Sequence, residues 1–276
     1  MTTARNDELR RLAQRVADAL PAELTPEIVL TGSVSRGMAD EVSDIEMLVV
    51  TGEPLDLDAC FRLAGAAGLD GLGTWGEQGG PARRVSGLRD HVPIELIWWP
   101  RDYAEAQIDA LLAGAMHSTA DALAHGVALR TSGRLAAWQE RLRAYPPALA
   151  AAQIEAAALP WGGFAPAGLL TLIRPGERLA LMEWIVDGAD RVLQIVFALN
   201  RVWQPTAKRL ALRVAPLPVK PDRLAARIEA ALTEPDPRRA LRVMTELQLE
   251  AVTLAPSGPN VDRARTWLAD GVTLLR

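Results

Sequence analysis

Two short apolar runs, Glu27-Ile-Val-Leu-Thr31 and Asp44-Ile-Glu-Met-Leu-Val-Val50, constrain this chain more than any other feature. Each is too short for a stable helix and is bounded by turn-forming residues, so both read as strands. The segment between them opens on Gly32-Ser33, where the first strand must stop. Side chains alternate along a strand, so Asp44 and Glu46 project from one face while Ile45, Met47 and Val49 point into a core on the other. Two carboxylates are thereby held together above a glycine–serine turn. A glycine there admits a ligand close to the backbone, and free amides plus a hydroxyl suit phosphate oxygens.

The surroundings extend this pair into a sheet. Leu9, Leu12, Val16 and Leu20 mark a helix over 5–20, and a second helix is expected over 56–68. Further strands are expected over Arg83–Leu88 and Val92–Trp99. From Pro100 onward the spacing turns helical, with helices expected over 101–113, 118–125, 134–143, 147–158, 177–203, 222–232, 237–253 and 260–274. Prolines near 146–147, 215–221 and 235–237 punctuate them. The expected class is α+β: a small mixed β-sheet domain over residues 1–100, followed by an all-helical domain over 101–276.

Composition closes off several alternatives. A single cysteine, Cys60, excludes an internal disulfide framework and suits a cytoplasmic protein. The amino terminus is polar and helical in pattern, without the apolar core of a signal peptide. Residues 156–173 carry no charge over nearly a bilayer's thickness, but Pro160, Gly162, Gly163, Pro166 and Gly168 prevent a continuous helix. That stretch reads as a buried inter-helix connection, with no membrane segment. Residues 1–100 hold 16 acidic and 9 basic residues, a balance of −7; residues 101–276 hold 18 and 21, a balance of +3. A net charge of −4 lacks the basic surplus of a nucleic-acid binder.

The paired carboxylates repel unless a cation lies between them, and magnesium, with its preference for oxygen ligands and substrate phosphates, is the natural partner. Glu95 sits in the apolar strand His91-Val-Pro-Ile-Glu-Leu-Ile-Trp-Trp99. A carboxylate buried there needs a metal or a basic partner. It is the candidate third ligand for a two-ion site, whose metals would lie about 4 Å apart.

Residues 30–47, Leu-Thr-Gly-Ser-Val-Ser-Arg-Gly-Met-Ala-Asp-Glu-Val-Ser-Asp-Ile-Glu-Met, resemble the signature of the DNA polymerase beta-type nucleotidyltransferase superfamily. The wording is similar to a bacterial small-molecule adenylyltransferase-like branch whose helical tail carries an Asn-Arg…Pro…Lys pattern, as at Asn200-Arg201…Pro205…Lys208. The resemblance implies that an acceptor hydroxyl attacks the α-phosphorus of an NTP, with ATP the expected donor, and pyrophosphate leaves. It implies Asp44, Glu46 and Glu95 as catalytic metal ligands, Glu95 also as general base, and Gly32, Ser33, Ser43, Asn200 and Lys208 as nucleotide-binding residues. The expected partners are an NTP and a small-molecule acceptor. Antibiotic adenylyltransferases have related architectures, but the positive balance of the helical part argues against a polycationic aminoglycoside. The alternative is an antitoxin-like regulatory protein that binds or AMP-modifies a protein partner, and the size of the helical tail argues against it.

Other residues read more plainly. Arg36 covers the loop rather than a phosphate, while Trp98, Trp99, Trp184 and Trp203 read as core or interface rather than a base-stacking platform. His91, His117 and His125 have no metal-ligand spacing, and Cys60 is a buried apolar residue.

Overall fold

The computed structural model describes residues 4–75, 80–115, 117–159 and 166–276. It divides into two compact units, Met1–Ala144 and Tyr145–Arg276. The fold is α+β: a mixed six-stranded sheet with helices, followed by a helical region.

In the first unit, α1 (Ala4–Ala19) leads into β1 (Glu27–Leu30), a single helical turn α2 (Gly32–Ser35) and β2 (Ile45–Thr51). Then come α3 (Leu57–Ala66), β3 (Asp70–Gly73), β4 (Arg83–Arg89), β5 (Val92–Pro100), α4 (Arg101–Leu112), α5 (His117–Ala124), β6 (Val127–Arg130) and α6 (Arg134–Arg143). The sheet order is β3-β4-β5-β2-β1-β6. β2 and β5 are parallel, with Ile45 opposite Ile94 and Glu46 opposite Glu95; the other described pairings are antiparallel.

Strand alternation assigns the two faces. Ile28, Leu30, Ile45, Met47, Val49, Val85, Ile94, Leu96 and Trp98 join Leu9, Leu12 and Val16 of α1 and Cys60 and Ala64 of α3 in one core. On the opposite face Leu48, Val50 and Trp99 are buried, and α4 packs there on β2 and β5. Trp99 meets Tyr103 of α4 edge to face, with centroids 5.7 Å apart. This cover lies over the carboxy-terminal ends of the strands. Asp44, Glu46 and Glu95 lie on the same face nearer the amino-terminal ends.

The boundary differs from the expected break at residue 100. β6 pairs with β1 and completes the sheet. Glu27, fully buried, receives hydrogen bonds from the amides of Ser132, Arg134 and Leu135 and from the Ser132 hydroxyl, so the sheet itself caps α6. Arg130 donates to the carbonyls of Ala17, Leu20 and Thr25, fastening β6 to the end of α1. Residues 101–144 therefore belong to the first unit, because their polar groups are satisfied by it.

The second unit contains α7 (Pro147–Ala158), a 3₁₀ turn (Pro166–Thr171), α8 (Arg178–Leu199), α9 (Leu210–Val214), α10 (Leu224–Thr233), α11 (Pro237–Leu254) and α12 (Pro259–Leu275). α8 packs on α7 and α11, and α11 packs on α10 and α12. A side chain at Gly188 would strike Gln248 and Met244, so glycine there allows α8 and α11 their close crossing. Of the uncharged stretch over 156–173, residues 160–165 lie outside the described residues. Leu169 and Leu172 beyond them are buried. Among the described residues no helix is long and apolar enough to cross a membrane.

Candidate active site

The candidate site sits where β1 gives way to α2. Thr31 bonds the carbonyl of Glu46 through its amide at 2.9 Å and its hydroxyl at 3.3 Å, extending the β1–β2 pairing by one step. Gly32 then adopts φ +69°, a left-handed conformation that carries a penalty for any residue with a Cβ. A Cβ built on Gly32 would lie 2.1 Å from Glu46 Oε2. Glycine is thus required twice, by the turn and by the carboxylate folded against it.

The loop is braced from three sides. Arg10 of α1 donates to the carbonyls of Val34 and Ser35, and Ser35 donates to that of Gly32. Arg36 donates to the Gly32 carbonyl and pairs with Asp121 of α5 at 2.5 Å, with their side chains only 11% and 5% exposed. Arg36 is therefore a brace, as its reading as loop cover anticipated. Its carboxylate partner was not legible, because Asp121 is 85 residues away in a segment expected to be a separate domain. Ser43 donates to Asp40 Oδ1 and receives from the Asp40 amide, closing the return to β2.

The three carboxylates share one sheet face. Asp44, exposed, immediately precedes β2; Glu46 and Glu95 are partly buried and directly opposed across the parallel β2–β5 pair. Glu95 Oε1 is buried without a hydrogen-bond partner. Burial, then the charge of Glu46 and, more weakly, that of Asp44 push the Glu95 carboxyl above its ordinary range, while Arg84 opposes them. Among the described residues no three His, Cys, Asp or Glu side chains are grouped as a ligand set for a metal ion. Glu46 leans toward Gly32, and Glu95 occupies the next strand on the far side. The carboxylates share a face and an electrostatic field, yet their oxygens are not gathered at one point.

Ser33 is partly buried beside Gly32 in the first turn of α2, and its carbonyl accepts from the Met38 amide. Asn200 and Lys208 belong to the second unit. Asn200 donates to the carbonyls of Val196 and Val219 and accepts from the Val219 amide, so its side chain joins the end of α8 to the loop before α10. Lys208 is exposed in the turn before α9. Sequence reasoning passed over Trp75 and Arg84. The Trp75 ring lies 4.7 Å from the Arg84 guanidinium carbon, with Arg84 on the carboxylate face two residues before Ser86, which pairs with Glu95. The signal that was available is the alternation of β4, which puts Arg84 and Ser86 on one side and Val85 and Gly87 on the other.

A family model described as a domain of unknown function, DUF4037, matches residues 116–210, beginning in the first unit and ending in the second. No curated protein matches the chain. Among solved structures, the chain is similar to a nucleotidyltransferase-like protein from Exiguobacterium sibiricum 255-15, at 11% identity and a TM-score of 0.35, over 98% of this chain and 90% of that one. The carboxylate motif at 30–47 lies outside the segment matched by the family model.

Proposed function

We propose that this protein is a magnesium-dependent nucleotidyltransferase that moves a nucleoside monophosphate, AMP from ATP, to a hydroxyl of a small molecule. The observation that carries the reading is the pairing of Glu95 with Glu46 across parallel strands, with Glu95 Oε1 buried and unpartnered. Two partly buried carboxylates in direct opposition are unfavourable, and a buried acceptor oxygen without a donor costs about 1–3 kcal/mol. A cation at this face would relieve both costs. The donor set, carboxylate oxygens only, suits magnesium.

Asp44, Glu46 and Glu95 would hold magnesium, which when bound offsets the charge of the carboxylates and of the triphosphate. Gly32 and Ser33 hold triphosphate oxygens, the amides at the start of α2 supplying donors where the glycine lets a ligand approach. Glu95 takes the proton of the acceptor hydroxyl. The acceptor oxygen forms a bond to the α-phosphorus as the bond to the bridging oxygen of pyrophosphate breaks. The acceptor leaves carrying AMP.

The test uses ATP labelled at the α- or the γ-phosphate, magnesium, and a small-molecule extract as acceptor pool. The expected product carries α-label only, its formation stops with EDTA, and Asp44→Asn abolishes it. Calorimetry should show ATP binding that requires magnesium. Absence of that binding in the wild-type protein, or transfer that survives Asp44→Asn, defeats the reading.

A further inference from the structure

Across the sheet, the strands order the chemistry. Gly32 and Ser33 follow β1, the carboxylates lie on β2 and β5, and Arg84 and Ser86 lie on β4. Strand spacing places β4 about 14 Å from β1, so Arg84 lies on the side of Glu95 away from the Gly32 turn. In the proposed transfer that is the side from which an acceptor hydroxyl reaches Glu95.

What stands there is built rather than incidental. Ser86 is opposite Glu95, and Arg84 is opposite Ile97, hence diagonal to Glu95 on the same face. Diagonal neighbours of this kind are about 7–8 Å apart, within the length of an arginine side chain. Thr74 donates its hydroxyl to the Arg84 carbonyl at 2.8 Å, which fixes the segment carrying Trp75 against β4. Trp75, 49% exposed, lies against the guanidinium rather than in the core. The charge of Arg84 reaches Glu95, whose Oε1 it does not hydrogen-bond. An indole beside a guanidinium attracts its charge and leaves its N–H edges available. Those edges match the two oxygens of a carboxylate or phosphate.

We propose that Arg84, oriented by Trp75, is the specificity residue for the acceptor, and that the acceptor is an anionic hydroxy compound whose carboxylate or phosphate Arg84 takes while its hydroxyl lies at Glu95. This rests on the transferase reading above and deepens it by naming the acceptor class. A cationic acceptor would meet Arg84 with like charge. A neutral one would offer the guanidinium no counter-charge.

The experiment separates the small-molecule extract on anion- and cation-exchange media and offers each fraction with α-labelled ATP and magnesium. Phosphatase treatment of the active fraction distinguishes a phosphate from a carboxylate. Labelled product is expected from the anion-retained fraction. With that fraction, Arg84→Gln should raise KM for the acceptor about 10- to 100-fold, the loss of a bidentate charge-assisted contact. Trp75→Ala should raise it about 3-fold, and Arg84→Lys should recover only part of the loss. Magnesium-dependent ATP binding, measured separately, should be the same in all three variants and the wild type. That binding separates the two levels: its absence in the wild type defeats the transferase reading itself. With binding intact, product from the cationic or unretained fraction, or an unchanged acceptor KM in Arg84→Gln, overturns the acceptor assignment. Binding without product from any fraction overturns the assignment and the small-molecule acceptor together.

Discussion

Replacing Glu95 with glutamine should stabilise the protein without metal and remove its stabilisation by metal. Glu95 opposes Glu46, and its Oε1 is buried with no donor. An unsatisfied buried acceptor costs about 1–3 kcal/mol, and like charges on opposed strand positions add up to about 1 kcal/mol. Glutamine keeps the shape, removes the charge and can donate to Glu46, though its own amide is still partly dehydrated. The net gain is about 1–2 kcal/mol, which for a chain of this size raises Tm by about 2–8 °C. The pH dependence has a definite sign. Burial and then the Glu46 and Asp44 charges put the folded-state pKa above the unfolded one, so the folded form carries the full penalty at pH above both values. Wild type should therefore gain on glutamine as pH falls from neutrality through the raised value, with the gap closing near the ordinary value of 4.5. With magnesium and ATP the order reverses. A ligand at a hundredfold excess over Kd adds about 2.7 kcal/mol to wild type, and the variant should gain far less. Thermal melts by circular dichroism in EDTA and in magnesium–ATP, from pH 4.5 to 7.5, measure both effects. An Glu95→Gln protein that melts at or below wild type in EDTA at pH 7.5 refutes the electrostatic reasoning.

Three further outcomes are expected. Gly32→Ala places a Cβ 2.1 Å from Glu46 Oε2 at a positive φ, so it should cost about 1–2 kcal/mol in chemical denaturation and abolish ATP binding. Asp121→Ala leaves the Arg36 guanidinium buried without its carboxylate and should cost about 3–5 kcal/mol; Arg36→Met combined with Asp121→Leu should recover much of that loss. Asn200→Ala removes hydrogen bonds to Val196 and Val219 and should lower stability by about 1–3 kcal/mol with ATP affinity unchanged; a fall in affinity larger than the fall in stability would assign Asn200 to the nucleotide instead.

Much of the fold was legible because periodicity was strong where burial is one-sided. Ile45, Met47 and Val49 alternate with Asp44 and Glu46, and the structure buries the first set in one core. Leu181, Ile185, Val192 and Val196 repeat with helical spacing, and α8 buries them all. The elements that escaped are short or weakly patterned. β3 is Asp-Gly-Leu-Gly, and its pairing is set by β4 rather than by propensity. β6 is Val-Ala-Leu-Arg, four residues between helices, and it becomes a strand because β1 offers it an edge. That miss moved the domain boundary, since only a strand at 127–130 reveals what Glu27, Arg130 and Asp121 are for. At the site, the shared face of Asp44 and Glu46 followed from spacing alone. The opposition of Glu46 and Glu95 required the parallel register of β2 and β5, which is a tertiary fact. The lean of Glu46 over Gly32 likewise depends on how β1 ends.

The late position of β6 also governs the order in which the sheet can be made. Both strands of the β1–β2 pair are complete by residue 51, but the strand for the other edge of β1 is not complete until residue 130 has emerged. For that interval an apolar strand offers a row of unmatched amides and carbonyls to any passing chain. Nascent chains stalled before residue 127 should therefore be aggregation-prone and those stalled after α6 should not, so that the last short strand serves as the seal on the first.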